Sequence, residues 1–266
     1  MTAFATPLPR PSRLWTDAPA FTALALLITL AIVPVLAAMS LDPRVYGGED
    51  IWLKPLKFHI ALAIYLVTLS VFARWMAPAQ RESRMWRGFM AVVCLCVMAE
   101  LVWIGGAAAL GTGSHFNLSS PVWAQLYSLM GVAAVTLTAA SLVMGIAIHR
   151  NPATGLHQVV KLSIVLGLIL TFVLTVITAG YMSGAGGHHV GTPVTGERLA
   201  IFGWSREVGD LRVGHFLATH ALHGLPLVGL VAARVGGAPL VWAGAAAYAI
   251  VVLATFAQAI AGMPLI

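Results

Sequence analysis

The sequence predicts an all-α integral membrane bundle of seven transmembrane helices, with the N-terminus inside and the C-terminus outside. Three observations carry that prediction. The 266 residues are 59 % hydrophobic and 9 % charged, whereas a soluble domain carries about 25 % charged residues. Seven apolar runs reach the roughly 20 residues that a spanning helix needs. Trp15, Trp52, Trp75, Trp86, Trp123 and Trp242 stand at the ends of these runs, where amphipathic rings anchor a helix at the membrane interface.

A segment over 1–19, with prolines at 7, 9 and 11, is expected on the cytoplasmic side. The first run, 20–40, places 17 mainly apolar residues before Ala37 and Ala38, more than a cleavable signal uses, and reads as a retained helix. The second, 58–77, follows Lys54 and Lys57, and the third, 88–110, carries Cys94, Cys96 and Glu100. Positions two apart on a helix point about 200° away from each other, so the two thiols cannot chelate one ion together. Pro121 and Pro152 bound the fourth run, 121–147, at places where a missing N–H costs little. The fifth, 158–181, leads into a glycine-rich segment over 182–213. A connection of that length in a bundle reads as a lid, a binding loop or a disordered segment. Runs six, 214–233, and seven, 238–263, complete a single domain over 20–266. No lysine lies deep in run seven to form a retinal Schiff base.

Orientation follows from the basic residues. Fifteen Lys and Arg against nine Asp and Glu give a formal charge of +6, but they form no contiguous patch, which excludes a nucleic-acid partner. They punctuate the apolar runs instead, and the short loop 78–87, with Arg81, Arg84 and Arg87, places its side in the cytoplasm.

On that topology seven of the nine histidines fall in the outer half: His59, His115, His188, His189, His215, His220 and His223. At 1.5 Å per residue the last three lie about 2, 9 and 14 Å below the outer end of the sixth helix. On a straight helix they share an arc of about 140°, a direction that cannot sensibly be lipid. Glu100, Thr175, Thr178 and Gln258 reach similar depths, while the inner half offers only hydroxyls and thiols. The expectation is a polar pocket open to the outside and closed below.

Imidazole is the commonest biological metal ligand and also holds haem iron. The first reading is therefore a haem or transition-metal site (copper, iron or zinc), with redox chemistry. His215, His220 and His223 form its core, His59, His115, His188 and His189 are further ligands, and Glu100 is a proton acceptor. Met39, Met182 and Met263 could add thioethers. The second reading is a transporter or receptor-like binder of a small polar solute entering from the outer face, with proton-sensing histidines. In that reading Pro226 breaks the sixth helix and frees backbone for binding. The third is a non-catalytic scaffold or assembly factor whose histidines only fasten helices together. No G-x-S-x-G, H-E-x-x-H or phosphate-cradling loop names a reaction, so enzymatic activity is left open, as is homo-oligomerisation. Asp210 and Arg212 are expected to cap and flank the sixth helix.

Trp52-Leu53-Lys54-Pro55-Leu56-Lys57-Phe58, His189-Val190-Gly191-x-Pro193 and Gly209-Asp210-Leu211-Arg212-Val213-Gly214-His215-Phe216, running on to His220-Ala221-Leu222 and Leu225-Pro226, stand out as motifs. Together they resemble a family of uncharacterised multi-pass bacterial membrane proteins. The resemblance implies a bacterial inner-membrane setting and adds no chemistry.

Overall fold

The computed structural model describes residues 11–266, so the first ten residues of the expected segment 1–19 lie outside the described residues. The described chain is helical apart from its connections and two hairpins of two-residue strands. Six spans are long and apolar enough to cross a membrane, and a bent helix pair over 212–235 makes a seventh if it is counted as one crossing. Leu95, Val102, Val132, Leu227 and Ile250 are exposed along these spans, a surface that suits lipid and not water.

The helices pack as two compact units. The first comprises the residues up to Asn117 together with Gln125–Ala140. It opens with α1 (Pro11–Asp17), followed by α2 (Pro19–Leu30) and α3 (Ile32–Leu41), which form one span with a turn at Ala31. Pro34 accounts for that turn, because it has no N–H for the Leu30 carbonyl and its ring crowds the same oxygen. A hairpin of β1 (Val45–Tyr46) and β2 (Glu49–Asp50) leads into α4 (Leu53–Ala73). The short α5 (Pro78–Arg81) ties back to α1 through an Arg81–Asp17 ion pair.

α6 (Arg84–Ala109) is capped at both ends by named groups. The Ser83 hydroxyl accepts the Trp86 N–H at 3.1 Å, as a serine N-cap does. Arg44 donates to the carbonyls of Ala109 and Ala108 at 3.1 and 3.3 Å, satisfying acceptors that a helix end leaves unpaired. Asp42 holds that arginine in place and also accepts the Trp52 indole N–H at 2.8 Å. Phe21, Ile28, Leu66, Leu69 and Ile104 fill the core of this unit.

The long α7 (Pro121–Arg150) starts from Ser120, whose hydroxyl accepts the Trp123 N–H. Leu118–Ala124 and Ser141–Ile266 make up the second unit. In it, α8 (Gln158–Gly184) begins at His157, whose ring nitrogen accepts the Val159 N–H. The glycine-rich segment that follows is folded on short antiparallel pairings and a buried carboxylate. β3 (His189–Val190) pairs antiparallel with β4 (Gly209–Asp210), and the Glu207 carboxylate gathers the N–H groups of Val194, Thr195 and Glu197. These donors, led by Thr195 and Val194, hold the Glu207 carboxyl down to about 2. β4 lies against the backbone of the last helix so closely that a Cβ on Gly209 would run into the Ala259 carbonyl. The unit closes with α9 (Arg212–Thr219), α10 (Ala221–Val235) and α11 (Gly237–Ile260).

Candidate functional site

The sixth span is broken at its histidines. α9 and α10 meet at His220 with a bend of 54°, so the single arc expected for a straight helix does not hold. The cause is shared between two elements. Within the span, Pro226 cannot donate to the Leu222 carbonyl, which weakens the first turn of α10. Across from it, Thr171 on α8 accepts the Leu222 N–H at 2.8 Å and draws that donor out of the helical ladder. Gly167, one turn earlier on α8, makes the approach feasible, because a Cβ there would lie 2.9 Å from the Ala221 carbonyl. The chain re-enters helix when the N–H groups of His223 and Gly224 both turn back to His220 O, at 2.9 and 3.0 Å. Tyr248 on α11 donates to the Leu217 carbonyl at 2.7 Å, at the end of α9.

Partners at the break fix two histidine tautomers. His220 Nδ1 lies 2.7 Å from the Phe216 carbonyl. A carbonyl can only accept, so Nδ1 carries the proton and Nε2 keeps its lone pair. His215 Nδ1 lies 3.0 Å from the Thr178 hydroxyl oxygen, and that hydroxyl donates its one proton back to the Leu174 carbonyl at 2.9 Å. Thr178 therefore accepts from His215 Nδ1–H, and Nε2 is again the free base. The His223 ring sits 5.5 Å from that of His220, and Phe216 stacks on His220 at 4.1 Å. Trp204 and Phe202 continue this aromatic column into the glycine-rich segment.

Thr171, Thr175 and Thr178 recur on one face of α8, at the i, i+4, i+7 spacing of a helical stripe. Thr171 binds the break and Thr178 binds His215. Thr175, between them, is buried with no partner for its hydroxyl among the described residues. Gln258, expected at the same level, instead donates to Pro264 O near the C-terminus.

Asp210 holds the start of the broken span. Its carboxylate accepts the Arg212 N–H at 3.1 Å, the Arg212 guanidinium at 2.6 Å and the Ser205 N–H at 2.9 Å. The capping and flanking expected of Asp210 and Arg212 is thus part of a larger knot. His189 Nε2 approaches the same carboxylate at 3.5 Å, with the His188 ring packed on His189 at 4.2 Å between centroids. Burial pushes the Asp210 carboxyl up, but Arg212, His189 and the Ser205 N–H outweigh it and hold the group well below the usual carboxylate range.

His59, His115 and Glu100 belong to the first unit. His59 is buried, and its Nδ1 donates to the Pro55 carbonyl at 2.8 Å, the same anchoring that His220 shows. His115 packs among Phe58, Phe116 and Tyr127. Phe116 is the one described non-glycine residue with positive φ, at 56°. Glu100 is buried in α6 with neither carboxyl oxygen bonded among the described residues.

Among the described residues, no three His, Cys, Asp or Glu side chains are arranged to hold one metal ion. The structure brings His220 beside His223 and places His215 on α9 against Thr178, with His188 and His189 at the Asp210 knot. Sequence reasoning singled out all of these residues but missed Thr171 and the weight of Thr175. The threonine spacing on run five was the available signal. Comparison with known proteins finds no matching family model, no matching curated protein and no matching solved structure.

Proposed function

We propose that this is a multi-pass protein of the bacterial inner membrane, N-terminus inside and C-terminus outside, that binds a small polar solute at the break in its sixth span as a transporter or receptor-like binder. The observation that carries the reading is the unpartnered, buried Thr175 hydroxyl between two contacts that α8 makes with the broken span. Hydroxyls buried in a bundle normally find a partner, and discontinuous spans commonly form solute sites in transporters. On the same face of α8, Thr178 holds the His215 imidazole, whose Nε2 is a base. A small oxyacid carries both an acceptor oxygen for the threonine and an acidic proton for an imidazole. It would transfer that proton to Nε2 and remain bound as the anion of the resulting imidazolium, with charge conserved.

Equilibrium dialysis of labelled acetate and of phosphate against the detergent-purified protein tests this. Saturable binding lost in T175V and in H220Q, and uptake into proteoliposomes driven by an inward proton gradient, is the expected result. No saturable binding of either probe by folded protein would overturn it and leave a scaffold role for the histidines.

A metal ion is the second reading, favoured by the backbone anchoring of His220 Nδ1, which orients Nε2 as metal-binding imidazoles are oriented. It suits a bare copper or zinc ion better than a b-type haem, because α8 and α11 carry no histidine to face α9 and α10. Elemental analysis and a visible spectrum of the same purified sample separate the two: bound metal or a Soret band supports this reading, and metal-free colourless protein that binds acetate supports the first.

A further inference from the structure

We infer that Glu100 is a second functional site, a proton-binding carboxyl in the first unit whose ionised form is balanced by Lys54. Glu100 lies nine residues before the end of α6, so it sits about 14 Å along the helix from that end. It is 3 % exposed, and neither of its oxygens has a hydrogen-bond partner among the described residues. A carboxylate without donors is costly at such depth, whereas the neutral acid is not.

The elements packed on α6 supply little else that titrates. From α4, which packs against α6, Lys54 sits in the first turn with its Nζ 6.0 Å from the Phe58 ring centre; Lys57, His59 and Tyr65 are the other titratable groups of that helix, and Arg44, at the end of α6, is paired with Asp42. α2 carries none, and Arg81 of α5 is paired with Asp17. On α6 itself Cys96 lies one turn away. Tyr127, in the α7 portion of this unit, is packed on His115 and Phe116. Glu100 therefore has two states in this proposal, a neutral acid and a carboxylate balanced by the Lys54 ammonium of the neighbouring helix. Passing from the carboxylate to the acid takes up one proton from hydronium and releases water.

Such an acid should react with dicyclohexylcarbodiimide, an apolar reagent that adds to protonated carboxyls within membranes. We expect an adduct on the peptide containing Glu100, read by mass spectrometry, with a yield falling roughly tenfold per pH unit once the site ionises. The pH-difference infrared spectrum should show a carboxylic-acid carbonyl band that E100Q, a neutral isostere, lacks. K54Q should raise the labelling yield at a given pH several-fold, because it removes the charge that favours the carboxylate. The wild-type labelling needs no variant to fold. No adduct at Glu100 at any pH, or a yield that ignores pH, overturns the proposal; labelling unchanged in K54Q overturns the part assigned to Lys54.

Discussion

Replacing Thr171 by valine tests how the sixth span is broken. The side chain keeps its shape, but the acceptor of the Leu222 N–H is gone. Leu222 is 0 % exposed and Thr171 2 %, so water cannot take over the bond. A buried donor left without an acceptor costs about 1–3 kcal/mol, which is roughly a 5- to 150-fold change in the folded-to-unfolded ratio. Unfolding in mixed micelles of increasing dodecyl sulfate content, followed by tryptophan fluorescence, measures it. T171S keeps the hydroxyl and should recover most of the loss, because only an empty methyl volume remains. Solute binding should weaken in T171V as well, since His220 and His223 flank the released turn. Equal stability of T171V and the wild type, or T171S no better than T171V, would refute the claim that a side chain on α8 holds the break open.

Three other outcomes are expected. G209A should lose stability by about 1–3 kcal/mol or more, because the new Cβ meets the Ala259 carbonyl, a backbone atom; G184A, with nothing nearby, is the control, and both are read by the same micelle titration. Glu207 has its carboxyl held at about 2 in the folded state, against about 4.3 in an unfolded chain. Its depressed value means that its contribution is complete above the unfolded value and is lost as pH falls through the folded one. Hydrogen exchange at Val194, Thr195 and Glu197 should then differ between wild type and E207Q at about pH 5–6 and converge near pH 2; equal protection throughout would remove Glu207 from the account. H223Q should reduce oxyacid binding with little change in micelle stability, whereas a merely structural histidine would lose stability and leave binding intact in the folded fraction.

The spans were legible in the sequence because a bilayer imposes its thickness on hydropathy, and no tertiary contact can override that constraint. Glu100 was legible for the same reason, as a charge inside an apolar run. The break was only half legible. Pro226 announced a weak turn, but its position at His220 depends on Thr171 and Gly167, some fifty residues away on another helix, and their roles appear only when α8 and α10 are in contact. Histidine positions could be read off, whereas their tautomers could not: His215 takes its assignment from Thr178, and His189 meets Asp210 across a hairpin. The 182–213 segment was recognisable as unusual by length and glycine content. How it folds depends on Glu207 and Asp210 collecting backbone donors several residues apart, which no local pattern encodes.

Nitrogen-15 NMR of histidine-labelled protein in a bilayer at neutral pH, with resonances assigned through H215Q and H220Q, bears most directly on the binding chemistry claimed for the broken span. The account predicts that both residues carry their proton on Nδ1, with bare Nε2 atoms that become protonated when acetate or phosphate binds. Protons on Nε2 in the unliganded protein, or Nε2 signals unmoved by saturating oxyacid, would contradict it.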